Sequence, residues 1–316
     1  MRLTVCICTH NRPRYVRDCL AGLRQQTVQA FETLIVDSAS GPGTRAALAA
    51  ICHGDPGLRL IRLEEPGISI ARDAGAAATV TPYIAYIDDD AIPASDWVEA
   101  ILRALRSSPQ NPALVGGRIL PLWEAPLPAW WPATLRGILS IIEHEGSGEY
   151  RTDAVPHGLE PYAANMVVHV ESLRAAGGFG RDTGRIGKVL LSDEEVRLAW
   201  RLQDAGRLVR YDSSITVYHQ IQAARLNPSW LLSRLYWQGA STVQTRRHLG
   251  YNQTVWRELP RRLAVAVLCA PAALLPARST WCLAARWRWS YAAGFIRAAF
   301  GWRAGDAAQR IAASSL

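Results

Sequence analysis

A chain of 316 residues, 49% hydrophobic with 24 Gly and 18 Pro, is long enough to bury a sizeable core and suits one large domain with an appendage, or two domains. Six cysteines, at 6, 8, 19, 52, 269 and 282, include no CxxC pair and argue against a disulfide scaffold. The net charge of +8 is uneven: residues 221–316 hold 13 Arg against Glu258 and Asp306, a balance of +11, while the remainder carries 22 basic and 25 acidic residues, a balance of −3.

Residues 3–8, LTVCIC, read as a buried strand, with Cys6 and Cys8 as small hydrophobes on one face. THNRP follows, and Pro13 suits the first turn of a helix. Val16, Cys19, Leu20 and Leu23 then give that helix one apolar side. TLIVD is a second strand ending in Asp37, followed by SASGPG, a loop by composition. LRLIRL (58–63) is a third strand, and residues 68–78 form a small-residue helix carrying Arg72 and Asp73. YIAYI is a fourth strand, ending in Asp88, Asp89 and Asp90, with a helix-start signal at Ser95. This βαβα alternation predicts an α/β fold with a mostly parallel sheet. In such sheets ligands bind beyond the carboxyl ends of the strands, where Thr9, Asn11, Asp37 and the aspartate triplet fall.

NMVVHV (165–170) reads as a further strand. In LLSDEEVRLAWRLQDAG, Ser192 and Glu195 have the spacing of a capping box, Leu198, Leu202 and Ala205 form a buried stripe, and Gly206 is a stop. RLVRYD and ITVYH are short strands that close the domain. The expected division is therefore a domain over 1–220 and a basic, Trp-rich helical extension over 221–316.

Three adjacent carboxylates repel one another and, if partly buried, need a cation or strong donors to stay ionised. A solvated acidic turn is the simpler reading. The sharper one is a divalent-cation site, because Asp88 and Asp90, two apart, can both reach one hard cation, and oxygen ligands suit Mg²⁺ or Mn²⁺. A second acid cluster, Asp193, Glu194 and Glu195, lies at a helix start, where it either complements the helix dipole or supplies a general base.

VCICTHNRPRYVRDCLAGLRQQTVQAFETLIVDSAS, GISIARDAG, YIAYIDDDAIPASDWVEAI, ANMVVHVESLRAAGGF and SDEEVRLAWRLQDAG occur in the order seen in family 2 glycosyltransferases, which residues 1–220 resemble. The resemblance implies the GT-A fold, a Rossmann-like nucleotide-binding domain merged with an acceptor subdomain. It also implies transfer of a sugar from a nucleotide donor, mostly with inversion, in bacterial cell-envelope or exopolysaccharide synthesis. On that basis Thr9 and Asn11 would line the nucleotide pocket, Asp37 would accept from the base (a uracil suits it), and Arg72 would contact the nucleotide. Asp90 of the DxD-like triplet would bind Mn²⁺ or Mg²⁺, while Asp88 or Asp89 would contact ribose or support the metal. His219, in VYH, matches a histidine that approaches the metal in some relatives. Glu194-Glu195 stands where the family has its ED base, which leaves either residue as the catalytic acid–base. VDSAS departs from the commoner VDDGS. The competing function is a non-catalytic nucleotide-sugar-binding protein of the same fold. A kinase or dehydrogenase is disfavoured, because neither GxxxxGK[ST] nor GxGxxG occurs and the sole lysine is Lys188.

The uncharged stretch 263–277 is 15 residues long and is interrupted by Pro271 and Pro276. That is short of the roughly 20 apolar residues of a spanning helix. It is flanked by Arg257, Arg261, Arg262, Arg278, Arg286, Arg288 and Arg297, interleaved with Trp256, Trp281, Trp287, Trp289 and Trp302. Arg beside Trp around a short apolar core predicts a segment lying in a membrane interface, with a packed helical subdomain and a nucleic-acid surface as rivals. The N-terminus turns polar after its first strand, unlike a secretory leader. The expected place is the cytoplasm, peripheral on the inner face of the plasma membrane. The expected partners are a nucleotide-sugar donor and a glycan or lipid-linked acceptor, without nucleic acid. Residues 120–160, rich in Trp and Pro, are where the acceptor is expected, with Trp130 and Trp131 able to stack on a sugar or to pack in a core.

Overall fold

The computed structural model describes residues 2–108, 110–150, 159–180, 184, 189–274 and 280–301. Lys188, Pro276, Arg278, Trp302 and Asp306 lie outside the described residues. The chain divides into two compact units. One comprises Met1–Leu122, Leu139–Gly180 and Glu195–Ile221. The other comprises Trp123–Ile138, Arg181–Glu194 and Gln222–Leu316, so the C-terminal helices share their unit with two segments from earlier in the chain.

In the first unit, strands β1 (Leu3–Thr9), β2 (Phe31–Ser38), β3 (Leu58–Leu63) and β4 (Tyr83–Asp88) alternate with helices α1 (Pro13–Arg24), α2 (Pro42–Cys52) and α3 (Ile68–Ala78). β5 (Ala91–Pro93), α4 (Trp97–Ser107), β6 (Leu114–Trp123), β7 (Ser147–Glu149), β8 (Met166–His169), α5 (Val170–Ala175), α6 (Glu194–Asp204) and β9 (Val209–Ile221) follow. The sheet order is β3-β2-β1-β4-β8-β6-β9-β5, with β7 also on β9. β3, β2, β1 and β4 are mutually parallel, and β8 joins β4 antiparallel. This is the mostly parallel, helix-flanked α/β sheet that the alternation predicts.

Every residue of β1 is buried, as are Tyr83–Ile87 of β4, which suits strands covered on both faces. The apolar side of α1 (Val16, Cys19, Leu20, Leu23) packs into the same core. So does α4, through Trp97, Val98, Ile101 and Leu105. Trp97 has no exposed surface, and its indole N–H donates to Asn165 Oδ1 at 2.8 Å.

Four local expectations are corrected. SASGPG is not all loop, because Pro42 opens α2. The two closing strands are one, β9, which runs through Asp212-Ser213-Ser214 because β7 pairs with its first half and β5 with its second. The Ser192–Glu195 capping box does not form: Ser192 Oγ donates to Asp193 at 2.9 Å, and the Glu195 carboxylate turns to Arg72. Ala205 is exposed, so the buried stripe of α6 is carried by Leu198, Ala199 and Leu202. Gly206 does end the helix in a left-handed conformation, φ 69°.

The second unit holds α7 (Pro228–His248), α8 (Asn252–Leu274) and α9 (Thr280–Ala299). Asn227 caps α7 by accepting from the Trp230 N–H at 2.9 Å. Ala240, Val243, Val255, Leu259, Phe295 and Ala298 form its core. Helices α7 and α9 cross where Gly239 meets the Tyr291 backbone and Gly294 meets the Tyr236 backbone, and a methyl group at either glycine would overlap the facing main chain. Pro260 and Pro271 lie inside α8, and no described helix is long and apolar enough to cross a membrane.

Candidate active site

Parallel register brings Thr9 beside Asp37 and Cys8 beside Asp88, so β1, β2 and β4 end together. The strand order reverses between β1 and β4, the position where open α/β sheets form a ligand crevice. Two residues there adopt the left-handed region, Asn11 (φ 57°) and Ala39 (φ 55°). For Ala39 that conformation costs roughly 1–2 kcal/mol, which the surrounding bonds must offset. Asn11 joins the two loops: its N–H donates to Ser40 Oγ at 2.8 Å, and its Oδ1 accepts from the Gly41 N–H at 2.9 Å. Asp37 is buried, accepts from the Ser40 N–H at 3.0 Å and lies 3.8 Å from Arg62.

The aspartate triplet splits three ways. Asp88 is partly exposed, and its carboxylate lies 3.4 Å from Arg72. Asp89 has no exposed surface. The Thr9 hydroxyl donates to its Oδ2 at 2.7 Å, and Arg12 Nη2 lies 2.5 Å from its Oδ1, a close charge contact off the angle of a hydrogen bond. Burial pushes Asp89 up to about 7, against the pull of Arg12. Asp90 is buried, accepts from Arg12 Nη1 at 2.7 Å and faces His219 Nε2 at 3.4 Å. Burial works against the charge of Arg12, but Asp90, Asp89 and Asp88 outweigh it and raise the guanidinium above its usual range.

His219 reaches this corner through register. β5 starts one residue after Asp90, and its Ala91 is paired with His219 of β9. The ring's Nδ1 is 3.0 Å from the Leu139 carbonyl. A carbonyl only accepts, so Nδ1 carries a hydrogen, and Nε2 is the ring atom that faces Asp90. An imidazole whose other nitrogen is fixed by a carbonyl is a well-oriented metal ligand, and a carboxylate oxygen beside it suits a hard cation. Asp90 and His219 therefore fit a divalent cation. Asp88, expected to share it with Asp90, turns to Arg72 instead, and among the described residues no three His, Cys, Asp or Glu side chains converge as a cation site.

Arg72 is buried and was expected on the nucleotide. Its Nη2 reaches Asp88, and its Nη1 lies 3.1 Å from Glu195 Oε1. Glu195 also accepts from the Ala163 N–H at 3.2 Å, and Ala163 opens the 3-10 turn just before β8. Glu194 is buried next to it in sequence, and Asp193 precedes the helix in the left-handed region, φ 75°. Arg72 thus joins two acids about a hundred residues apart. In all, four carboxylates (Asp88, Asp89, Asp90, Glu195) share two guanidinium groups, Arg12 and Arg72. Sequence reading passed over Arg12, although three adjacent acids required a cation and an arginine stood in the facing loop.

A mostly parallel, helix-flanked sheet with acids and basic side chains gathered at its switch point is consistent with the GT-A fold. Residues 4–119 match the family described as Glycosyl transferase family 2, and this match together with the glycosyltransferases it resembles makes the chain a glycosyltransferase, an enzyme of class EC 2.4. It is 27% identical over 244 residues to a glucosyl-dolichyl phosphate glucuronosyltransferase of Haloferax volcanii, covering 76% of each chain. It is 26% identical over 237 residues to a pre-mycofactocin glycosyltransferase of Mycobacterium tuberculosis, covering 74% of this chain and 47% of that one, so it spans about half of that relative. It is also 20% identical over 243 residues to the succinoglycan biosynthesis protein ExoM of Rhizobium meliloti, covering 76% and 73%.

Proposed function

We propose that the chain transfers a sugar from a nucleoside diphosphate donor, a UDP-sugar by preference, to a hydroxyl of a glycan or lipid-linked acceptor, with inversion, in polysaccharide or glycolipid synthesis. The observation that carries this reading is the Arg72 bridge, which sets the Glu195 carboxylate beside Asp88 at the donor crevice. The relatives support the acceptor class, since one carries a glucosyl-dolichyl phosphate in its name and another succinoglycan. A lipid-linked acceptor puts the reaction at the cytoplasmic face of a membrane.

The acceptor oxygen attacks the anomeric carbon while the bond from that carbon to the diphosphate breaks, and the diphosphate departs with the electron pair. Glu195 takes the acceptor's proton, and Arg72 and the Ala163 N–H hold that carboxylate in place. Asn11 and the loop it braces against Ser40 and Gly41 shape the nucleotide side, with Asp37 facing the base. Asp90 and His219 would hold Mn²⁺ or Mg²⁺, which when bound supplies positive charge for the leaving diphosphate. Asp89 serves inside, by anchoring Arg12, which stands partly exposed where it can also meet the diphosphate.

Loss of a general base reduces rate by roughly 10²–10⁴. Glu195→Gln is expected to fold, bind donor and lose that factor in kcat, while Glu194→Gln keeps most of the activity. The assay is nucleoside diphosphate release across a panel of nucleotide sugars with Mn²⁺, with and without chelator. Near wild-type turnover in Glu195→Gln moves the base to Glu194 if Glu194→Gln is the slow variant, and removes this mechanism if neither is.

A further inference from the structure

We propose that the outward side of α8, with the exposed residues of α9, is an interfacial docking surface for an anionic lipid bilayer. It rests on the proposed membrane-linked acceptor for its purpose alone. The surface itself follows from the side chains.

Large apolar residues are exposed along both helices. On α8 they are Trp256, Leu263, Val267 and Leu268, and on α9 Trp281 and Trp289. Val267 and Leu268 are 72% and 78% exposed, so most of each side chain faces solvent. Together with the exposed Pro260, Ala264 and Pro271, the α8 positions follow one another at helical spacing (256, 260, 263/264, 267/268, 271) and form one stripe. A stripe of this extent on one helix marks an interaction surface.

Its charge selects the partner. Glu258 is the only described acid in 222–301, and it is held by Arg246 and Arg262. Arg257 and Arg261, on α8 with the stripe, and Arg288 on α9 are exposed and have no ion pair among the described residues. A second copy docked face to face would set these arginines against themselves. Nucleic acid would meet a greasy centre where phosphates need cations. An anionic bilayer satisfies both: acyl chains for Val267 and Leu268, headgroups for the arginines, and the interfacial depth that Trp favours. Trp289 also lines a cavity of about 460 Å³ between α7, α8 and α9, with Leu232, Ala270 and Ala273 as its apolar walls, space that an acyl chain can enter.

The test is co-flotation of the full chain with vesicles of phosphatidylcholine alone or mixed with phosphatidylglycerol. In the same samples donor turnover is read as nucleoside diphosphate release, and oligomeric state by light scattering. The wild type is expected to float with the mixed vesicles. Each of Arg257→Gln, Arg261→Gln and Arg288→Gln is expected to weaken partition about fivefold. Val267→Asp combined with Leu268→Asp should abolish flotation and leave donor turnover intact. Failure of the wild type to float, or unchanged flotation of the double variant, overturns the proposal. So does a wild-type dimer that the double variant converts to monomer without any vesicle binding. Flotation without donor turnover would instead remove the proposed function and leave the docking surface standing.

Discussion

Burial disfavours the charged form of Asp89, and Arg12 and the Thr9 hydroxyl pull the other way. The same guanidinium reaches Asp90, so Arg12 is the charge partner of two buried acids at once. Removing one partner of a buried ion pair costs about 3–5 kcal/mol. Arg12 is 32% exposed in its side chain and water screens it, so Arg12→Met is expected to lose about 1–3 kcal/mol of stability. A divalent cation at Asp90 replaces part of the missing charge. Mn²⁺ should therefore raise the melting temperature of Arg12→Met more than that of the wild type, as read by scanning calorimetry. Equal shifts would mean that Arg12 and the cation do not share Asp90. At this scale the acids were legible and their partners were not. Asp88–Asp90 and Glu195 stand out because like charges cluster at element ends, whereas Arg12 and Arg72 acquire their roles only when the chain brings distant carboxylates to them.

Helices α7 and α9 approach closely because both lack a side chain at the crossing. Gly294→Ala places a methyl group against the Tyr236 main chain, and forced overpacking of this kind costs about 1–3 kcal/mol. Gly43→Ala, in the first turn of α2 with open space around it, is the control that should not destabilise. Urea unfolding followed by tryptophan fluorescence, to which α7–α9 contribute heavily, compares the two. Glu258 ties α8 to α7 through Arg246. Burial disfavours its charge, but Arg246 and Arg262 outweigh burial and lower its pKa below 4.5. A depressed acid adds stability that is complete above 4.5 and disappears as pH falls through the lower folded value. Glu258→Gln should therefore flatten the acid end of the stability profile of this unit, in urea midpoints measured from neutral pH downward. Sequence patterns located elements unevenly, for physical reasons. β3 and α3 fall where the apolar runs place them, at 58–63 and 68–78. α2 escaped because Leu48 is its only fully buried side chain, too weak a stripe to outweigh a Gly-Pro-Gly start. β9 looked broken at its polar middle because pairing to two other strands cannot be seen along one strand.

Across the first unit the site lies on a seam. β3, β2, β1 and β4 are parallel and end in the residues proposed for the donor, while β8, β5 and β9 pair antiparallel and bring Ala163 and His219 to the same corner. Asp88 comes from the parallel side and Glu195 from the helix after the antiparallel segment, and the buried fork of Arg72 spans them, with Phe179 against it at 5.6 Å. A planar guanidinium can serve two carboxylates in fixed directions, whereas an ammonium is a point charge that follows one of them. Arg72→Lys keeps the charge and loses the span; Arg72→Met loses both. If the bridge positions the base, kcat should fall in the order wild type, Lys, Met, with the Met variant losing about 10²–10⁴, the factor expected for losing the base itself. Donor KM should change less than kcat, because the nucleotide loops braced by Asn11 are untouched. Lys and Met variants with equal losses would reduce Arg72 to a buried counter-charge, and a rise in donor KM at constant kcat would return it to the nucleotide, where its motif first placed it.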